Sequence, residues 1–161
     1  MLQIKTHAAP DAFGGTGVFA SEFIAAGTVI WRYHPAVDLF YSHLAYHALP
    51  RRWRDRIAKH VYPAIMKGVS GVLYSRDNDR FTNHSFTPNT RYVIPPHQEA
   101  TDVQIVAQRD IAAGEEITQN YFDFVPSRLA YSYTEIPCYG FLLNHAGSAG
   151  ANDRMINWAA G

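Results

Sequence analysis

Arg80-Phe81-Thr82-Asn83-His84-Ser85-Phe86-Thr87-Pro88-Asn89 is the densest run of chemistry in the chain. Within it, Asn83, His84 and Ser85 supply an amide, an imidazole and a hydroxyl at three consecutive positions, with Phe81 and Phe86 nearby. Polar groups set among aromatics are costly to bury unless each finds a partner. The triplet therefore either satisfies neighbouring backbone groups in a tight turn or faces a ligand. A hydrolase triad is a poor fit, because side chains on adjacent residues seldom converge and no acid is placed to orient the imidazole.

Two other segments share this character. Gly114-Glu115-Glu116-Ile117-Thr118-Gln119-Asn120-Tyr121 follows downstream, starting from an Ala113-Gly114 turn. Upstream, Gly15-Thr16-Gly17-Val18-Phe19-Ala20 carries two glycines, which let the backbone take unusual angles and approach a ligand closely. The same pair also suits an ordinary β-turn. No third glycine opens a helix, so it is not a dinucleotide cradle.

In order and separation, the three segments resemble the SET-domain family of protein lysine methyltransferases, over about residues 10–125. They are similar to its opening glycine motif, its Arg-Phe-x-Asn-His-Ser-x-x-Pro-Asn signature and its Gly-Glu-Glu-Leu-Thr-x-Asp-Tyr signature. The resemblance implies a mostly β, β-clip-like SET fold of several short sheets. In it the C-terminal motif threads beside the Asn-His-Ser segment as a pseudoknot, joining Tyr121 to Asn83 across 38 positions. It also implies S-adenosylmethionine as cofactor, held by backbone groups of Gly15, Thr16 and Gly17 and by Asn83 and His84. Tyr121 is then the catalytic residue, and Tyr33 and Tyr92 join it in lining a channel for the substrate lysine. Aromatic faces suit that task because they surround an alkyl-ammonium and exclude water. The partner implied is a protein or peptide whose target lysine lies in an extended segment added to a sheet edge. A module that keeps the fold but is catalytically silent, binding a peptide or the cofactor, is the competing reading.

A phenol with a reference pKa of about 10 is a poor base at neutral pH, so the role expected of Tyr121 is positional and electrostatic. The substrate amine, with a reference pKa of about 10.4, must lose a proton first. A dry channel and a neighbouring sulfonium both disfavour the ammonium. Proton loss to water, with no dedicated base, is therefore expected.

The chain departs from the family pattern in three places. Gln119 stands where many members have Phe or Tyr, which leaves the number of methyl groups added open, and Asn120 replaces the usual Asp. Many members close the site with a cysteine-rich zinc module, which the single Cys138 cannot build. A closing segment at about 126–161 is expected instead, with Tyr139, Phe141 or Trp158 available to stack on adenine and Phe141 favoured.

Composition bounds the rest. The chain's 161 residues suit one domain over 1–161. Fourteen basic and fourteen acidic side chains cancel, which argues against a phosphate-neutralising surface, so no direct nucleic-acid partner is expected. A hydrophobic fraction of 47% with 17% charged residues excludes a mainly disordered chain. One cysteine excludes an internal disulfide framework. No apolar run approaches the roughly 18 residues that span a bilayer, and the first residues lack a secretory signal pattern, so no membrane partner and a cytoplasmic placement are expected, nuclear in a eukaryotic host.

Strand-like runs include one opening at Ile4, Val18–Ala20, Thr28–Tyr33 and Val103–Ala107, separated by glycine turns. Over about 41–66 a helical insertion is expected. Ser42 suits an N-cap, Pro50 a first helical turn, and Trp53, Ile57 and Val61 recur every four residues. Its basic residues, Arg51, Arg52, Arg54, Arg56 and Lys59, read as a solvated face. His43 and His47 share a helix face but lack the acidic partner of a His-Glu-x-x-His site, so no metal is expected. Residues 83–102, with three prolines, read as a long ordered loop.

Overall fold

Short β-branched and aromatic runs punctuated by glycine turns produce short strands. Ten of them form four small sheets among the described residues, which are 1–93 and 103–123 of the computed structural model, Phe122 by its backbone alone. In chain order the first four are β1 (Thr6–Pro10), β2 (Thr16–Ala20), β3 (Val29–Arg32) and β4 (Asp38–Ser42). Two short helices follow, α1 (His43–His47) and α2 (Arg51–Ile57). The remaining strands are β5 (Val61–Met66), β6 (Val69–Ser75), β7 (Asn83–His84), β8 (Thr90–Val93), β9 (Gln104–Ala107) and β10 (Thr118–Gln119). The sheets are β1-β2, β3-β9-β8, β4-β6-β5 and β10-β7; the last alone is parallel.

The main core gathers apolar residues from elements far apart in the chain. Val18, Ala20, Ile24, Ile30, Trp31, Leu73, Ile105, Ala107, Ile111 and Ile117 are all buried in one cluster. Ile117 is the anchor of the Gly-Glu-Glu-Ile segment, and its N–H donates to the Val18 carbonyl at 2.8 Å. Ala20 N–H donates to the Glu115 carbonyl at 2.9 Å, and Gly114 N–H to the Ala20 carbonyl at 2.8 Å. The third motif thus runs antiparallel along the first. The Ala-Gly turns expected from sequence are present, with Gly27 and Gly114 at φ +82° and +81°.

The insertion differs from its expected form. Helix is confined to α1 and α2 and a single 3₁₀ turn at Ala58–His60, while 61–66 is a strand in a hairpin with β6. The four-residue spacing of Trp53, Ile57 and Val61 is met by a strand entry, because Val61 still reaches the same apolar cluster as Ile57, Tyr46 and Val72. The hairpin turns on Lys67 and Gly68, both at positive φ (50° and 76°), a two-residue loop that matches strand twist. Pro63 is tolerated because β5 is an edge strand in its sheet. Ser42 caps α1 as expected, its hydroxyl accepting from Ala45 N–H at 3.2 Å, and Pro50 stands at the N-cap of α2.

The basic face of α2 is engaged locally: Arg51 lies 3.6 Å from Asp55, Arg54 donates to the His47 carbonyl at 2.9 Å, and Arg56 sits over Trp53. His43 contacts the Ser70 hydroxyl at 3.2 Å. The expected loop at 83–102 contains β7 and β8. Residues 94–102 and the closing segment at 126–161 lie outside the described residues.

Candidate active site

The site starts at the pairing of β7 with β10. Asn83 is in register with Thr118 and His84 with Gln119, and Ser85 N–H continues the ladder to the Gln119 carbonyl at 2.9 Å. Asn89, the last residue of the Asn-His-Ser-Phe-Thr-Pro-Asn run, and Thr90 after it clamp this short parallel pair. Asn89, almost fully buried, donates through Nδ2 to the Glu116 carbonyl at 2.7 Å and to Glu115 Oε1 at 3.0 Å, while its Oδ1 accepts from Thr118 N–H at 2.9 Å. Thr90 Oγ1 donates to the Thr118 carbonyl at 2.7 Å. Glu115 is also held by Arg109 at 2.6 Å; that guanidinium, then Asn89, lowers its carboxyl to about 2. The pseudoknot contact thus rests on a fully partnered amide beneath two residue pairs of parallel ladder.

On one side of the junction lies the glycine loop. Asn83 Nδ2 donates to Glu116 Oε1 at 2.8 Å, to Asp11 Oδ2 at 3.0 Å and to the Thr16 carbonyl at 3.3 Å. Asp11 Oδ1 in turn accepts from Phe13 N–H at 2.7 Å and Gly15 N–H at 2.8 Å. Those backbone donors hold the Asp11 carboxyl below the usual carboxylate range. The reason for the glycines is visible here. A Cβ on Gly15 would stand 2.7 Å from Asp11 Oδ2, and one on Gly17 would stand 2.9 Å from Glu116 Cδ. The space a side chain would take at Gly15 and Gly17 is filled by the Asp11 and Glu116 carboxylates, and the Gly15 N–H is engaged by Asp11.

On the other side are the aromatic residues. Tyr121 opens a 3₁₀ turn (Tyr121–Asp123), its N–H donates to His84 Nδ1 at 3.2 Å, and its hydroxyl donates to the Thr82 carbonyl. The His84 and Tyr121 rings are 5.4 Å apart. Burial lowers the His84 pKa, opposed by the Gln119 backbone, and an acceptor role at Nδ1 likewise requires the neutral ring. Thr82 and Asp79 join this side, with Thr82 Oγ1 3.5 Å from Asp79 Oδ1. Burial, then the Asp77 charge, pushes the Asp79 carboxyl well above its ordinary value.

A small cleft is lined by Thr90, Tyr92, Ile105, Gln119, Asn120 and Asp123. Tyr92 is pushed up to about 12 by burial and by Asp79, so its phenol is neutral. Gln119, at the position the family often fills with an aromatic, faces this cleft together with Tyr92. Neither Tyr121 nor Tyr33 lines it; Tyr33 is half-buried on the main core just past β3, its phenol raised by burial and by Asp38. Phe141, Tyr139 and Trp158 lie outside the described residues.

The described structure therefore brings Gly15, Thr16, Gly17, Asn83, His84 and Tyr121 into one connected network, with Tyr92 in the adjoining cleft. Sequence reasoning missed Asp11, Thr82, Asn89 and Glu116 as site residues. Three of these sit inside the quoted motifs. Asp11 could have been found from its place before Gly14-Gly15, since Asp caps backbone N–H groups two and more residues on.

No curated protein matches the chain in sequence. Among solved structures, a Plasmodium falciparum protein proposed to be a histone methyltransferase is similar over 73% of this chain and 96% of its own, at 24% identity and a TM-score of 0.48. The humanized mutant Polycomb Repressive Complex 2 of Chaetomium thermophilum, bound to the inhibitor GSK126, matches over 76% of this chain at 24% identity and a TM-score of 0.55; the match spans 15% of that polypeptide. The second likeness is one of fold. The SET-domain family model matches residues 15–122, from the glycine loop to the residue after Tyr121. With its three motifs meeting at the β7–β10 junction, the chain belongs to the SET-domain family.

Proposed function

We propose that the protein is an S-adenosylmethionine-dependent methyltransferase acting on a lysine side-chain amine of a protein or peptide. The observation that carries this reading is the Tyr121 turn. It is anchored on His84 and Thr82 across the β7–β10 junction from the Asn83 contact with the glycine loop, beside a cleft that contains Tyr92. The donor set suits the cofactor: Asp11 and Glu116 bring two carboxylates to the Asn83 amide, which favours a ligand bearing an ammonium and a sulfonium. Asn83 and the glycine loop would hold its methionine end. When bound, S-adenosylmethionine supplies a methyl group on a sulfonium, and transfer to the amine releases the thioether.

Tyr121 acts by position. Its proton is committed to the Thr82 carbonyl, so the phenol oxygen presents lone pairs that can orient an amine N–H without being ionised. His84 fixes the backbone of that turn. Tyr92 excludes water from the cleft while staying neutral. Asp123, whose carboxyl is raised by burial, attracts the arriving ammonium but is far too weak a base to keep an amine proton. The proton leaves to water along the cleft.

Labelled cofactor incubated with a mixture of basic proteins tests the reading. Methyl transfer that is lost in Tyr121→Phe is the expected result. Cofactor binding without transfer by the wild-type protein would favour the silent module, and absence of both would overturn the assignment.

A further inference from the structure

Asp11 belongs to none of the three motifs that carry the family likeness, yet it makes three hydrogen bonds at the site. One carboxylate oxygen caps the glycine loop at Phe13 and Gly15; the other takes Asn83 Nδ2. Glu116 and the Thr16 carbonyl take the same nitrogen. All three partners are acceptors only, so the Asn83 amide has one acceptable orientation: flipped, its oxygen would face two carboxylates. The consequence falls on Oδ1, which is left as the acceptor of an amide whose donors are already in use. A ligand carboxylate would compete with Asp11 and Glu116 for Nδ2 and be repelled by both, whereas an ammonium would be attracted, so a zwitterionic ligand would present its ammonium here and turn its carboxylate away.

Resting on the methyltransferase reading, we propose that Asp11 is a positioning residue. By holding Asn83 Nδ2, it turns Oδ1 toward the α-ammonium of the cofactor's methionine end and couples that contact to the glycine loop. Glu116 supports the same orientation from the third motif. The Asp11 carboxylate stays ionised well into acid because of its two backbone donors, so the orientation holds throughout the neutral range.

The substitution D11N separates this role from loop capping. Asn keeps an oxygen for the Phe13 and Gly15 N–H groups but sets an NH₂ against Asn83 Nδ2, which loosens the hold on that nitrogen while Glu116 and the Thr16 carbonyl still accept from it. Calorimetry would compare S-adenosylhomocysteine with its des-amino analogue, which lacks only the α-ammonium. In the wild type, loss of the ammonium should weaken binding by about tenfold or more, in the range of a hydrogen bond to a charged group. In D11N the same loss should cost about threefold less than in the wild type, with an unchanged melting temperature, and in D11N/E116Q it should cost less still. Equal discrimination in D11N and wild type would overturn the proposal. If D11N does not fold, E116Q is read by the same comparison. Failure of the wild-type protein to bind S-adenosylhomocysteine at all would instead count against the methyltransferase reading.

Discussion

The two sides of the β7–β10 junction are built from opposite materials. The glycine-loop side is polar and charged: Asp11, Glu116 and the Thr16 carbonyl converge on one amide, and two glycines leave room for the carboxylates. The Tyr121 side is aromatic and partly dry, with Tyr92 neutral, His84 held uncharged by burial, and Asp79 shifted toward its neutral acid. A cofactor carrying fixed positive charge suits the first environment, and a deprotonating amine suits the second. The contrast teaches that one short parallel ladder can separate two dielectric settings, provided its own backbone is tied down. Asn89 does the tying, since it bonds to three atoms of the 115–118 segment and none of the glycine loop.

The largest test of this division is Tyr121→Phe. On the proposed function it should lower methyl transfer by about 10²-fold or more, as loss of one preorganised polar group commonly does, with cofactor affinity within about twofold. A parallel fall in affinity would show that the aromatic side also holds the cofactor and would break the division. Next is Asn89→Ala, which strands the partly buried Thr118 N–H and Glu116 carbonyl and should cost about 1–3 kcal/mol in denaturant unfolding. Asn83→Ala should cost about 1–3 kcal/mol of cofactor affinity by calorimetry, because Asp11 and Glu116 lose their shared partner.

The smallest effect is one of pH. The His84 pKa in the folded protein lies below its ordinary 6.5, so the unfolded chain takes up a proton more readily. Its contribution to stability is complete above about 6.5 and is lost as the pH falls through the lower folded value. In His84→Asn, which keeps an acceptor for Tyr121 N–H without a titrating ring, melting temperature should vary less with pH across that interval. An identical profile in the two proteins would move the acid sensitivity elsewhere.

Much of this is legible in the sequence. The β-branched runs with Ala-Gly turns marked strands, and the Ser42 and Pro50 signals marked two helix starts, because these are local preferences of backbone and cap. The β5–β6 hairpin was missed because Val61 continued a four-residue spacing, and a Lys-Gly turn is a weaker signal than Asn-Gly. Of the channel residues inferred by resemblance, Tyr92 lines the cleft, while Tyr33 and Tyr121 do not. Strand position alone could not separate them, since all are spaced plausibly along short elements.

By itself the sequence determined the kind of fold and the three motifs, for these depend on residue types at fixed short spacings. Only the tertiary structure decided which atoms meet. A two-residue parallel pairing brings position 118 to position 83, and that closure lets Asp11, Asn83 and Glu116 share one hydrogen-bonding nitrogen. Contacts of such long sequence separation follow from burying Ile117 against Val18 and satisfying Asn89, energies that belong to the assembled core and to no single segment.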